Sequence, residues 1–156
     1  MQSRAFMAEH LYRISITLWV GALWAIGYLA APTLFRVLED RGLAGRLAGD
    51  MFTYVAWLGM ALAAYLLIFV ALRKEGAAFK SSVFWLVLVM LLLTVAGYFG
   101  VQPILAQLKA DSFPREVMES ALRDRFAAWH GVSSVVYLVQ SLLGLILVAV
   151  QDRGLR

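Results

Sequence analysis

Four stretches of the chain contain no Asp, Glu, Lys or Arg: Ile14–Phe35, Met51–Leu72, Ser81–Leu108 and Phe126–Gln151, of 22, 22, 28 and 26 residues. An α-helix rises about 1.5 Å per residue, so about 20 apolar residues cross the roughly 30 Å hydrocarbon layer of a bilayer. No water reaches that layer, and a spanning segment must satisfy every backbone amide within the protein. A soluble helical bundle would place polar residues along its outer faces every third or fourth position, and these stretches do not. The chain is 62% hydrophobic and 15% charged, against roughly 45–50% and about 25% for soluble domains. The expected fold is all-α. It is an integral membrane four-helix bundle, one domain over 1–156, with spans near 12–35, 51–72, 82–105 and 126–150 and short interfacial helical extensions on the outer side.

Several classes are excluded at once. The first apolar run is longer than the 7–15 residue core typical of a signal peptide, and Ala30 and Ala31 lead into Pro32 without a small-x-small cleavage pattern. It reads as a retained span. The chain has no cysteine, which removes disulfides, thiolate metal sites and iron–sulfur clusters. The net charge of +4 comes from basic residues near span ends. Anchoring to anionic headgroups explains them, so the expected partner is the lipid bilayer and not nucleic acid.

Four spans put both chain ends on one side. That side holds Arg4, Arg13, Arg73, Lys74, Lys80, Arg153 and Arg156, opposed by Glu9, Glu75 and Asp152. The other holds Arg36, Arg41, Arg46, Lys109, Arg115, Arg123 and Arg125, interleaved with an equal number of acids. Basic residues balance, so the net excess at the chain ends decides the expectation: both termini and the loop 73–80 are cytoplasmic, in a bacterial inner membrane.

The two outer connectors read as helical and not as free loops. Pro32 lacks an amide donor and can kink the last turns of span 1. In 36–50, Leu38, Leu43 and Leu47 would cover apolar surface while Arg41 and Arg46 reach water, and Gly42, Gly45 and Gly49 allow close approach. In 109–125, Ser112 suits a helix cap, Pro114 a first turn, and Val117, Ala121 and Leu122 an apolar side. No internal repeat stands out.

Membrane helices associate through small residues and scattered polar groups, since lipid is as apolar as leucine. Span 4 offers one such stripe at helical spacing: His130, Ser133, Ser134, Tyr137, Ser141 and Gly144. Span 1 offers Thr17, Gly21, Ala25 and Tyr28, and span 3 offers Thr94, Gly97 and Tyr98. The expected packing residues are Gly21, Gly97, Ser133, Ser134, Tyr137, Ser141 and Gly144.

Charged groups inside a membrane mark proton relays and ion pathways, and the four runs contain none. No phosphate-binding glycine loop, zinc-protease motif or nucleophile–base pair is present, so no catalytic residue is assigned. Two histidines in a four-helix bundle suggest a bis-histidine haem. His10 precedes span 1, however, and His130 opens span 4 near the opposite surface. Most of the bilayer, about 20–30 Å, separates them, too far for one iron. His130 alone could approach Met51 and Met118, a thioether–imidazole set that suits copper(I). The bland reading of His130 is a hydrogen-bonded interfacial side chain.

The segments "LWVGALWAIGYLAAPTLFRVLEDRGLAGRLAGDMF" and "FAAWHGVSSVVYLVQSLLGL" resemble the bacterial four-span family known as domain of unknown function 4149. Its carriers here are Trp19 with Gly21, Ala31-Pro32 with Leu34-Phe35, Ala44-Gly45 with Phe52, and His130-Gly131 with Ser133. The resemblance implies a four-helix membrane fold, a kinship with eukaryotic transmembrane protein 205 and its link to platinum-drug tolerance, and no settled activity. More distantly the pattern is similar to the copper-resistance D membrane domain and to the membrane-bound haem-dependent protoporphyrinogen oxidase, whose histidine lies inside span 1. His10 sits too early in its helix to match that position.

On the expected topology Pro32, Phe35, Met51, Phe52, Tyr54, Gln102, Pro103, Trp129 and His130 all fall toward the face away from the chain ends. If there is a site, it is an outer vestibule. The first functional reading is a non-enzymatic multi-pass protein handling a small solute or metal, or an accessory subunit, as a homo-oligomer or in a membrane complex. The alternative is a haem- or quinone-associated redox protein. No cofactor is expected; copper(I) and haem b are the two the residues leave open.

Overall fold

A computed structural model describes residues 2–74, 76–112 and 120–155. Among them there is no strand. Span 1 is α1 (Gln2–Trp24), a π-helical segment Ala25–Ala30 and α2 (Ala31–Val37). Span 2 is the single long helix α3 (Arg41–Arg73), and a 3₁₀ turn at Ala78–Lys80 leads to α4 (Ser82–Val95). A second π segment, Ala96–Val101, and α5 (Gln102–Ser112) complete span 3, and α6 (Ser120–Val150) with a 3₁₀ turn at Gln151–Gly154 forms span 4. The stretches long and apolar enough to cross a bilayer are Phe6–Val37, Arg41–Arg73, Ser82–Leu108 and Asp124–Gly154. They make this a multi-pass membrane protein. Each span packs on the next, and the fourth closes on the first.

The first outer connector is tighter than the sequence suggests. Only Leu38–Asp40 breaks the helix, and Asp40 caps α3 by accepting the Leu43 amide at 3.0 Å. Arg41 Nη1 donates to the Phe35 carbonyl at 2.6 Å, pinning the end of α2. Of the expected apolar side, Leu38 lies in the break, while Leu43 and Leu47 are exposed in the first turns of α3, where Ala44 and Ala48 are the buried positions. In the second connector Ser112 is the last described residue of α5, and the helix it is expected to cap would begin outside the described residues. Pro114, Val117 and Met118 lie outside the described residues.

Both odd-numbered spans share a device of which the sequence foretold only the kink at Pro32. Each carries a π segment just before a proline, Pro32 in one and Pro103 in the other. A proline inside a helix removes one amide donor and pushes its ring toward the carbonyl four residues back. A widened turn at that point makes room without breaking the span.

The large buried side chains gather in the half of the bundle nearest the chain ends, and the connector half buries mainly the small Ala31, Ala44 and Ala48, with Leu108. Tyr12, Ile16, Trp19, Val20 and Leu23 from span 1 meet Ala63, Leu66 and Val70, then Val83, Val87, Met90 and Leu147. Tyr12 is fully buried and donates to the Gln151 carbonyl at 2.8 Å, tying the start of span 1 to the end of span 4. Arg13–Asp152 at 2.8 Å and Arg73–Glu9 at 2.6 Å add ion pairs around the same end. These are well exposed, and such pairs contribute about 0–1 kcal/mol. Burial of the apolar ring set holds this end shut.

Candidate functional site

Toward the connectors burial thins unevenly: span 2 still buries Ala44 and Ala48, and span 3 buries Leu108 at its end. None of the described side chains from Leu91 to Gln107 in span 3, or from Asp124 to Val139 in span 4, is buried. Beyond Leu23 span 1 buries only Ala31. Spans 1, 3 and 4 are therefore closely packed near the chain ends and more thinly packed toward the connectors, the half referred to below as the open half.

Tyr137 lies where the two regions meet. Its hydroxyl donates to the Leu23 carbonyl at 2.6 Å, at the start of the span 1 π segment. Gly27 faces the ring so closely that a Cβ there would lie 2.8 Å from Tyr137 Cζ. Phe52 meets Tyr137 edge-on with centroids 5.1 Å apart, a contact that reaches across the bundle from span 2 to span 4. Tyr28 lies 6.2 Å from Tyr137 and 4.8 Å from Trp24, whose indole donates to the Ser141 carbonyl at 3.3 Å. Edge-on and tilted aromatic pairs add about 0.5–1.5 kcal/mol beyond their area. Phe52, Tyr28 and Tyr137 form the floor of the open half.

The expected vestibule residues divide accordingly. Phe52 joins the floor, while Gln102 and Trp129 are half-buried higher up. Pro32, Phe35 and Pro103 are exposed. Tyr54 is 74% exposed and its neighbour Val55 is buried, so Tyr54 points away from the interior. His130 is exposed and stacks on Phe126 at 5.9 Å, and Met51 is half-buried. Among the described residues no three His, Asp or Glu side chains are grouped to hold a metal ion.

The packing set also divides. Gly144 is buried, with Val20 methyls 3.2 Å from where its Cβ would be, and Ser141 is fully buried. Gly21 is exposed, and a Cβ on either Gly21 or Gly97 would meet nothing within 4 Å. The whole span 1 stripe of Thr17, Gly21, Ala25 and Tyr28 is exposed; the helix buries its larger side chains instead. The serines do not bridge helices either: Ser134 donates to the His130 carbonyl and Ser141 to that of Tyr137, both at 2.8 Å within α6. Such bonds back to residue i−4 satisfy a hydroxyl locally. Ser133 is half-buried on the open side of Tyr137.

One residue was missed. Gln140 is 4% exposed, and its Nε2 donates to the Met90 carbonyl at 3.0 Å and to Thr94 Oγ1 at 2.9 Å. Thr94 and Gln140 lie at the middle of spans Ser82–Leu108 and Asp124–Gly154. An amide in an uncharged 26-residue run was the available signal.

A family model described as "Domain of unknown function (DUF4149)" matches residues 14–114, from span 1 to the end of span 3. No curated protein and no solved structure matches the chain.

Proposed function

The chain belongs to the DUF4149 family, and from that premise we propose that it is a non-enzymatic membrane protein that receives a small uncharged solute in the open half of its bundle. One observation carries this reading. The burial of span 4 ends at Gln140, above which Tyr28, Phe52 and Tyr137 make an aromatic floor over a closed core. Apolar sites with a few placed polar groups are the usual form of small-molecule pockets. The uncharged runs disfavour an ionic solute, because an ion would find no countercharge at that depth. In this reading the membrane is a bacterial inner membrane, the chain ends are cytoplasmic, and the open half faces outward.

Sidedness is tested in a chain with no native cysteine. Glu39 and Ala77 are both exposed, on opposite ends of the bundle. In intact cells a membrane-impermeant thiol reagent should label Glu39→Cys and spare Ala77→Cys. The reverse pattern inverts the orientation.

The vestibule itself is tested by depth. Ser133→Cys should react with a charged methanethiosulfonate added from the connector side, whereas Ser141→Cys, two turns deeper, should not. If Ser133→Cys is inert, the open half is filled by lipid or by a partner, and the solute reading fails.

A further inference from the structure

Gln140 holds the only buried side-chain acceptor among the described residues of the middle of the bundle that receives no hydrogen bond. Its Oε1 is buried and unpartnered. The orientation of the amide is dictated by chemistry: the Met90 carbonyl can only accept, so the NH₂ branch must face it and the oxygen must face elsewhere. Thr94 gives its own proton to the same Met90 carbonyl at 2.9 Å and so has none left for Gln140. An unsatisfied buried acceptor costs about 1–3 kcal/mol. An apolar side chain there would avoid that cost.

The surroundings show from which side a donor could come. One turn toward the closed end, Gly144 is pressed by Val20 at 3.2 Å and Met90 at 3.6 Å. Toward the open end, Gly97 continues the face of span 3 that carries Met90 and Thr94, and nothing lies within 4 Å of its Cβ position. Gly97 is also in the π segment Ala96–Val101, where the helix is already widened. Tyr137, one turn above Gln140, is the vestibule floor. We propose that Gln140 Oε1 is the specificity-determining acceptor of the vestibule, and that the solute is an uncharged amphiphile bearing a hydrogen-bond donor, of the hydroxyl or phenol class. The oxygen is sealed in this structure, so the solute's donor reaches it by displacing the π turn beside Gly97. This rests on the vestibule reading and names what that vestibule selects.

The test uses the full-length Ser133→Cys protein in nanodiscs and follows its labelling rate. The probes are 4-tert-butylphenol and its methyl ether, which differ by one donor. The phenol should slow labelling at a concentration about five- to tenfold below that needed by the ether, the worth of one hydrogen bond to an otherwise unsatisfied acceptor. Adding Gln140→Leu should abolish the difference while leaving the protein monodisperse and its melting temperature unchanged or higher. Equal protection by the two probes, or protection by neither, overturns the donor proposal while labelling of Ser133→Cys still upholds the vestibule; the acceptor would then serve an internal water. A marked loss of stability in Gln140→Leu would show that the amide is structural, which also overturns it. Failure of Ser133→Cys to label at all removes both readings together.

Discussion

Gly59→Leu is expected to destabilise the protein by about 3 kcal/mol, the upper part of the range of about 1–3 for overpacking a tight contact. Gly59 is buried, and a Cβ on it would lie 2.5 Å from Trp19 Nε1 and 3.2 Å from Cε2. Trp19 has no exposure and sits within the closed core, so the rigid indole has nowhere to move. The control is Gly21→Leu. That glycine is exposed with open space at its Cβ position, and replacing a mid-helix glycine should gain about 0.5–1 kcal/mol. Equilibrium unfolding in mixed micelles would measure both. Trp19→Phe should recover part of the Gly59→Leu loss, since residues in contact couple by about 0.5–3 kcal/mol. Equal stability of the Gly59→Leu and Gly21→Leu proteins would contradict the assignment of the span 1–span 2 contact.

Tyr137→Ala is expected to deepen the vestibule. Removing a fully buried large ring costs about 3–5 kcal/mol, and Tyr137 is half-buried, so about half of that is expected here. The larger effect is on access. With the ring gone, Ser141 keeps Trp24 against its carbonyl but loses the cover of the floor, and Ser141→Cys should change from inert to reactive toward the charged thiol reagent. Tyr137→Phe keeps the ring against Phe52 and Tyr28 and loses only the bond to the Leu23 carbonyl. Hydrogen bonds between membrane helices average about 0.6 kcal/mol, so this variant should remain stable and keep Ser141→Cys inert. A Ser141→Cys that stays unreactive in the Tyr137→Ala protein would show that the seal is made elsewhere.

These effects differ in how far the sequence foretells them. The stripe from Ser133 to Gly144 was legible because span 4 contains polar and small residues among aliphatics, and it does hold the buried Ser141, the buried Gly144 and the floor residue Tyr137. Span 1 misled: its small residues Thr17, Gly21 and Ala25 are exposed, and Tyr12, Ile16, Trp19 and Leu23 face the bundle. In water the inward face of a helix is marked by its apolarity, but in lipid both faces are apolar and that mark disappears. The choice of face then depends on shape, as when Gly59 of span 2 admits the Trp19 indole.

What the sequence determined by itself is the number of spans, their approximate ends and the absence of charge along them. Each follows from the cost of placing an unsatisfied backbone or a bare charge in hydrocarbon, which no tertiary arrangement of this chain could offset. What only the tertiary structure decided is which end packs most tightly, where the two prolines are absorbed, and that the Gln140 amide finds acceptors for its NH₂ but no donor for its oxygen. Those outcomes depend on gaps of an ångström or less between side chains on different helices, and such distances are set by the packing of all four spans together.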